Sequence, residues 1–168
     1  MSGVMTSEQR RVLRWVVCCW GLAGAIAIVG HVVGRWVFIG IRFSPSIAGH
    51  VFLVFPGAPV HRGDLLAFWP PRTPYAPPTM WWMKYAVGMP GDLLQVENRH
   101  LRVAGINRGI CAQRAVQDNH PLHCMHSTHI PQQHYFVWGS HPRSLDSRYQ
   151  EIGFVQAHAV IGRGMRLF

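Results

Sequence analysis

Residues 81–92 read Trp-Trp-Met-Lys-Tyr-Ala-Val-Gly-Met-Pro-Gly-Asp and enclose Lys84, the only lysine of the chain, in an apolar and aromatic run. An ammonium group is costly to desolvate, so such surroundings lower the pKa of a lysine and allow it to act as a base. If arginine had replaced nearly every lysine of the protein and Lys84 had remained by accident, we would expect polar neighbours instead. The run therefore predicts a reactive amine and raises the question of what gives Lys84 a proton.

An apolar segment near the N-terminus predicts a membrane anchor. Residues 15–33 contain no acid, lysine or arginine, and a helix of about 20 such residues crosses the hydrocarbon core. Residues 34–36, Gly-Arg-Trp, are not a small-x-small cleavage site, which favours a retained anchor over a cleaved signal peptide. We expect a cytoplasmic lead over residues 1–14, a transmembrane anchor over 15–35 and an exported domain over 36–168.

The distribution of basic residues gives the expected orientation and partners. Arg10, Arg11 and Arg14 precede the anchor, which places the N-terminus in the cytoplasm and the domain on the periplasmic side of a bacterial inner membrane. The net charge is +9, but the arginines are scattered rather than clustered with aromatic residues. We therefore expect a lipid bilayer as partner and no nucleic acid, and no pattern calls for a cofactor.

The exported part is predicted to be mostly β. Residues 51–55, 101–106 and 135–138 are short apolar runs rich in β-branched and aromatic residues. A Gly-Asp pair precedes an apolar run twice, at residues 63–64 and 91–92, which indicates two turns leading into strands. No long helical period follows the anchor.

The cysteines fall into two groups. Cys18 and Cys19 lie inside the anchor, whereas Cys111 and Cys124 lie in the exported part, where disulfides persist. Compartment alone favours a Cys111–Cys124 disulfide over two free thiols.

Ser46 is the best candidate to give Lys84 a proton. It follows the anchor closely, in a turn of small residues that leaves a hydroxyl accessible, and Ser44 could project a second hydroxyl beside it. Serine is a weak nucleophile that needs a base, and lysine serves as that base in Ser-Lys variants of the catalytic triad. The pair predicts a serine hydrolase.

Three segments support this pairing through a family resemblance. Residues 44–47 read Ser-Pro-Ser-Ile, residues 84–92 read Lys-Tyr-Ala-Val-Gly-Met-Pro-Gly-Asp, and Gly139 is followed by Ser-Leu-Asp-Ser-Arg-Tyr at 144–149 and Gly-Phe-Val at 153–155. In order and spacing they resemble the nucleophile, lysine and final boxes of the type I signal peptidase superfamily. That resemblance implies a signal-peptidase-like β domain and a membrane-anchored serine endopeptidase.

The resemblance also implies a role for each matching residue. Ser46 would be the nucleophile and Lys84 the general base, with the Ser46 amide and the Ser44 hydroxyl forming the oxyanion hole. Ser144 would hydrogen-bond Lys84, and an ion pair between Asp146 and Arg148 would brace the site.

Two departures from the family pattern concern the surroundings of the nucleophile. Ala48-Gly49 stand where a proline is usual, and Gly139-Ser140-His141 replace Gly-Asp-Asn. They leave the geometry of the nucleophile less well specified than the identity of the lysine.

The short chain, single anchor and Ser-Pro-Ser box resemble the conjugative-transfer pilin maturation peptidases (TraF-like). This implies a pilin-like precursor as substrate, cleaved or also cyclised through an acyl-enzyme on Ser46. Two alternatives remain: a general type I leader peptidase, and an inactive membrane-anchored scaffold of a pilus or secretion assembly.

A histidine-rich segment offers a competing metal site. His120, His123, His126 and His129 recur every three residues, with Cys124 among them. Pro121 interrupts any regular helix, and closed zinc motifs have other spacings. The segment is better interpreted as an exposed polar loop, and no metal is expected.

Overall fold

The computed structural model describes residues 7–41, 46–73, 75, 77, 79–116 and 119–168. The boundary between two compact units follows Phe38. The first unit contains one helix, α1, Ser7–Gly34, with no buried residue in it. By length and composition α1 is able to cross a membrane. It contains the predicted apolar segment but begins at Ser7, so part of the expected polar lead is helical.

The described chain after α1 is built from short strands. In chain order they are β1 (Phe38–Ile41), β2 (Val51–Pro56), β3 (Leu65–Phe68), β4 (Trp82–Gly88), β5 (Leu93–Glu97), β6 (His100–Val103), β7 (Ile106–Ile110), β8 (Thr128–His129), β9 (His134–Trp138), β10 (Val155–Gln156) and β11 (Val160–Arg166), with a 3₁₀ turn at Ala157–Ala159. Seven strands form one sheet in the order β1-β2-β11-β3-β4-β9-β10, and four form a second in the order β7-β6-β5-β8. The prediction of a mostly β domain with one N-terminal apolar helix is confirmed.

Strand β4, which carries Lys84, lies inside the large sheet. It pairs antiparallel with β3, with Leu66 opposite Lys84, and with β9, with Trp138 opposite Tyr85. Both edges of β4 are therefore hydrogen-bonded, which fixes the position of Lys84 relative to β3 and β9.

The two Gly-Asp turns are joined to each other. Gly63 and Gly91 adopt φ angles of 90° and 87°, a conformation that L side chains rarely reach. Arg62, beside the first turn, donates two hydrogen bonds of 2.6 and 2.8 Å to the carboxylate of Asp92 in the second. The repeated sequence thus produces two turns that lie side by side and are bridged by an ion pair.

Among the described residues, three buried apolar clusters stabilise the domain. The largest lies under the small sheet and contains Leu94, Leu101, Val103 and Phe136 among others. A second contains Leu66, Phe68, Ala86, Val137 and Val155, and a third contains Ile47, Phe52 and Leu65. Since the third cluster includes Ile47, the packing fixes the residue that follows Ser46.

One predicted strand is divided in the structure. Residues 101–106 form the end of β6, a turn and the start of β7, because Ala104 and Gly105 adopt positive φ angles of 48° and 77°. Strand β7 then continues to Ile110. Only the glycine of this turn was visible as a signal in the sequence.

Candidate active site

Lys84 is buried, with 4% of its surface exposed. Its Nζ lies 5.5 Å from the centroid of the Trp82 ring, two residues back on the same face of β4. Burial lowers the pKa of Lys84 from 10.5 to about 8, while the nearby Asp146 carboxylate acts to raise it and Arg148 to lower it. A substantial share of this lysine is therefore a neutral amine near pH 8, as a general base requires.

Asp146 and Arg148 form a buried ion pair next to this amine. Nε of Arg148 donates to Oδ1 of Asp146 at 2.8 Å and Nη2 donates to Oδ2 at 2.9 Å. The two residues are 0% and 2% exposed. This paired, buried geometry differs from a surface ion pair, which contributes little.

Arg148 also holds the segment that precedes it. Its guanidinium donates to the carbonyl oxygens of Ser144 at 3.1 Å, His141 at 3.3 Å and Pro142 at 3.3 Å. Residues 141–144 are thus wrapped around one planar cation, which fixes the position of Ser144.

Gly139 brings the elements of the site together. Its amide donates to Oδ2 of Asp146 at 2.9 Å, and continuing the β4–β9 register by one residue sets it beside Lys84. A Cβ at this position would collide with the side chain of Ser144 and lie 2.8 Å from the backbone oxygen of Ser46. Only glycine allows the segments carrying Ser46, Lys84 and Ser144 to approach one another this closely.

Ser46 lies in a turn whose main chain contacts the residues that follow Gly139. Its carbonyl oxygen accepts long contacts of 3.5 Å from the Ser140 hydroxyl and the His141 amide. The buried cluster that contains Ile47 packs against Met83 and Tyr85, which stand on either side of Lys84 in β4. Ser44, the expected second oxyanion donor, lies outside the described residues.

The turn is secured on its other side by the last strand. The amides of His50 and Val51 donate to the carbonyl oxygen of Phe168 at 2.6 and 3.5 Å. Gly49 adopts φ 103°, which proline cannot reach, and a Cβ there would collide with Arg166 and Phe168. The proline that is usual in the family pattern would therefore not fit at Gly49.

The hydroxyl of Ser144, a buried side chain, donates to the carbonyl oxygen of Leu145 at 3.5 Å. This contact is long, so the hydroxyl is weakly engaged there. The predicted hydrogen bond from Ser144 to Lys84 remains a prediction.

A disulfide joins Cys111 to Cys124, with a Cα–Cα distance of 5.8 Å. Sγ of Cys111 lies 3.4 Å from the carbonyl oxygen of Arg148, which also accepts a hydrogen bond of 2.9 Å from the Met125 amide. The disulfide therefore packs directly behind the arginine that organises the site.

The histidine-rich segment contributes ion-pair and loop contacts. Nδ1 of His123 lies 2.8 Å from Oε1 of Glu151, and the amide of Gln150 donates to the carbonyl oxygen of His123. Within the described part of the chain no group of three or more His, Cys, Asp or Glu side chains could hold a metal ion.

Sequence reasoning did not assign a role to Gly139 or to Arg108. The sequence marked Gly139 only as part of a motif, because glycine has no side chain whose chemistry could indicate a role. Arg108 is partly buried against Trp138, a contact between residues 30 positions apart that no local pattern reveals.

Comparison with known proteins adds independent findings. Residues 11–168 match the family model described as signal peptidase, peptidase S26. Among solved structures, a signal peptidase I from Enterococcus faecalis is 26% identical, covering 62% of this chain and 96% of that chain, with a TM-score of 0.41. No curated protein matches the chain. The family match confirms the resemblance to the type I signal peptidase superfamily.

Proposed function

Because the chain belongs to the signal peptidase family, peptidase S26, and is a serine endopeptidase of the signal peptidase type, we propose that Ser46 and Lys84 are its catalytic dyad. The observation that carries this proposal is the buried Lys84, whose pKa burial lowers to about 8. It is supported by the approach of the Ser46 main chain to Gly139, which follows strand β9 next to β4.

In the proposed reaction, neutral Lys84 removes the proton of the Ser46 hydroxyl as Oγ attacks the scissile carbonyl carbon. The Ser46 amide and the Ser44 hydroxyl stabilise the oxyanion, a contribution of roughly 3 kcal/mol per donor in other proteases. Collapse of the tetrahedral intermediate breaks the C–N bond, and the protonated Lys84 returns its proton to the leaving amine. An ester between Ser46 and the substrate remains.

The second half of the reaction decides the product. Attack of water on the ester, with Lys84 again as base, gives a linear cleaved chain. Attack of an amine from the substrate itself gives a new peptide bond and a circular chain. Both routes regenerate Ser46 and Lys84 unchanged, so the same dyad serves either outcome.

The proposed substrate is a pilin-like precursor for conjugative transfer, presented at the periplasmic side of the inner membrane. The helix α1, long and apolar enough to cross a membrane, and the arginines that precede residue 15 support this location. The Ser-Pro-Ser sequence at residues 44–46 supports the pilin class of substrate.

Mass spectrometry of the processed substrate tests the proposal. The detergent-solubilised full chain is incubated with a candidate pilin, and with a secreted-protein precursor as comparison. We expect cleavage of the pilin, a loss of at least about a thousandfold in rate in Ser46→Ala and Lys84→Met, and wild-type rate in Ser127→Ala, an exposed serine on the small sheet.

Each other outcome has a distinct meaning. Unchanged cleavage in both Ser46→Ala and Lys84→Met would exclude the dyad. Preference for the secreted precursor would indicate a general leader peptidase, and no cleavage of either would indicate a scaffold. A product one water lighter than the linear chain would establish cyclisation.

A further inference from the structure

Strand β4 contains a β-bulge three residues after Lys84. The register between β4 and β9 shifts between Ala86 and Gly88, which lie opposite consecutive residues of β9. Val87 is therefore an extra residue in β4 that has no counterpart in the partner strand. Such bulges bend one strand and often occur next to active sites, where they change the direction in which a side chain points.

The bulge determines which residue of β9 lies beside Lys84. Continued by one residue, the register on the Lys84 side of the bulge sets Gly139 beside Lys84. Without the extra residue, the register on the other side of the bulge would continue through β4 and would set Ser140 there instead. A Cβ in the place of Gly139 collides with the side chain of Ser144. The candidate site is therefore assembled in the bulged register.

Arg62 binds the bulge directly. Its Nη1 donates to the carbonyl oxygen of Val87 at 3.0 Å and to Oδ2 of Asp92 at 2.6 Å, and its Nη2 donates to Oδ1 of Asp92 at 2.8 Å. The Oδ2 atom also accepts a hydrogen bond of 2.6 Å from the amide of Met89. One planar guanidinium thus joins the bulge residue to the turn that follows β4.

The packing on the two sides of the bulge is unequal. Val87 is buried, and a Cβ on Gly88 would collide with the side chains of three neighbouring residues, so β4 has little room to move inward. On the accessible side, the amide of Gly63 donates to the carbonyl oxygen of Ala86 at 2.7 Å. Residues 62–63 therefore hold the carbonyl groups of both residues at the register shift, and Arg62 supplies the side-chain contact.

We propose that Arg62 is a positioning residue for the Ser46–Lys84 dyad, because it holds the bulge at Val87 and thereby sets Lys84 beside Gly139. The inference rests on the proposed protease function. In this role Arg62 acts through the main chain of β4 and not through contact with the substrate. Its loss should therefore lower kcat and leave KM nearly unchanged.

Kinetics of Arg62→Met test this role. Methionine keeps an apolar stem but forms neither hydrogen bond, and a misplacement of about 1 Å in a catalytic group costs on the order of a hundredfold in rate. We expect kcat of the full chain in detergent to fall at least about tenfold, with KM changed by less than about twofold. Arg62→Lys keeps the charge but not the planar donors, so its kcat should lie between those of Arg62→Met and wild type.

Arg163→Gln is the matched control. Arg163 lies 4.0 Å from the carboxylate of Asp64, in the turn that follows Arg62, and its side chain is 43% exposed, against 41% for Arg62. Removing this cation should leave kcat at the wild-type value. Wild-type kcat in Arg62→Met, or an equal loss in Arg163→Gln, would overturn the proposal.

NMR of the single lysine separates this inference from the protease function. Lys84 is the only lysine, so a chain labelled with carbon-13 at lysine Cε gives one resonance from the site. We expect this resonance to move or split in Arg62→Met and to stay in place in Arg163→Gln. An unmoved resonance in Arg62→Met would refute the positioning role. If the wild type cleaves no substrate, the protease function fails, while the resonance still decides whether Arg62 sets the position of Lys84.

Discussion

The amide of Gly139 donates a hydrogen bond of 2.9 Å to Oδ2 of Asp146. The same carboxylate pairs with Arg148 and supplies the negative charge that raises the pKa of Lys84 against the effect of burial. One carboxyl group therefore positions the main chain beside Lys84 and opposes part of the fall in the pKa of Lys84 that burial causes.

Gly139→Ala should nearly abolish activity. The added methyl group would displace the Ser144 side chain or the Ser46 backbone oxygen, and a misplacement of about 1 Å in a catalytic group costs on the order of a hundredfold in rate. We expect kcat to fall by about that factor, measured by pilin cleavage. Gly57→Asn is the control, since Gly57 has open space around it and φ 68°, which asparagine tolerates. Full activity of Gly139→Ala would show that the site has more room than described.

The acid limb of the pH–activity profile should report the pKa of Lys84. A base must be neutral, so kcat/KM should rise tenfold per pH unit at low pH and level off above about pH 8. Replacing Asp146 with Asn removes the charge that raises this pKa, so the limb should move to lower pH in whatever fraction of Asp146→Asn folds. Stopped assays between pH 5 and about 10 measure this, and a flat profile would contradict the assignment of Lys84 as base.

The free energy of unfolding should rise with pH, whereas a salt-bridged lysine would make it fall. The folded-state pKa of about 8 lies below the ordinary value of 10.5, so between these values the unfolded chain binds more protons. The free energy of unfolding should therefore rise with pH across this window, by about 3 kcal/mol in all. At pH 7 both states are protonated and the full cost of burying the charge remains.

Lys84→Met removes that cost and offers the matched comparison. The variant should be more stable than wild type at pH 7, by up to about 3 kcal/mol, and should lack the rise between pH 8 and 10.5. Thermal unfolding of the full chain in detergent at several pH values provides the measurement. Equal pH dependence in the two proteins would show that another group is responsible.

Reducing the disulfide should weaken the domain. Cys111 and Cys124 close a short loop, and such a crosslink contributes roughly 3 kcal/mol. Reduction should lower the Tm of wild type but leave Cys111→Ala/Cys124→Ala unchanged. Because Cys111 contacts the Arg148 carbonyl, we expect kcat to fall more than KM changes. An unaltered kcat would confine the disulfide to a stabilising role.

The sequence was most informative where chemistry is carried by side chains. A lone lysine in an apolar run, a Ser-Pro-Ser and an Asp-Ser-Arg segment predicted the protease class through their resemblance to the signal peptidase boxes. Short apolar runs predicted the mostly β domain. Contacts between backbone segments that are far apart in the sequence could not be predicted. The collision that a Cβ at Gly139 would meet follows from the register of β4 and β9, which the local pattern of neither strand specifies.

Ion pairs also differ in whether the sequence could predict them. Asp146 and Arg148 are two positions apart, so a brace between them could be predicted, whereas Arg62 and Asp92 are separated by 30 residues. The link between the two Gly-Asp turns could not be predicted, because the strands that follow them, β3 and β5, belong to different sheets. Among the described residues Arg108 has no carboxylate partner, which is still harder to predict because it depends on where the described acids are engaged.

Having a single lysine, in the middle of a buried strand, also makes this protein a reporter of its own unfolding. An endoprotease that cuts after lysine has one target bond, between Lys84 and Tyr85, and it lies in β4 with both edges of the strand paired. Cleavage would require β4 to leave the sheet, and would divide the 168 residues into two fragments of 84 (168 − 84 = 84). The appearance of these two fragments would measure the opening of β4 without any introduced label.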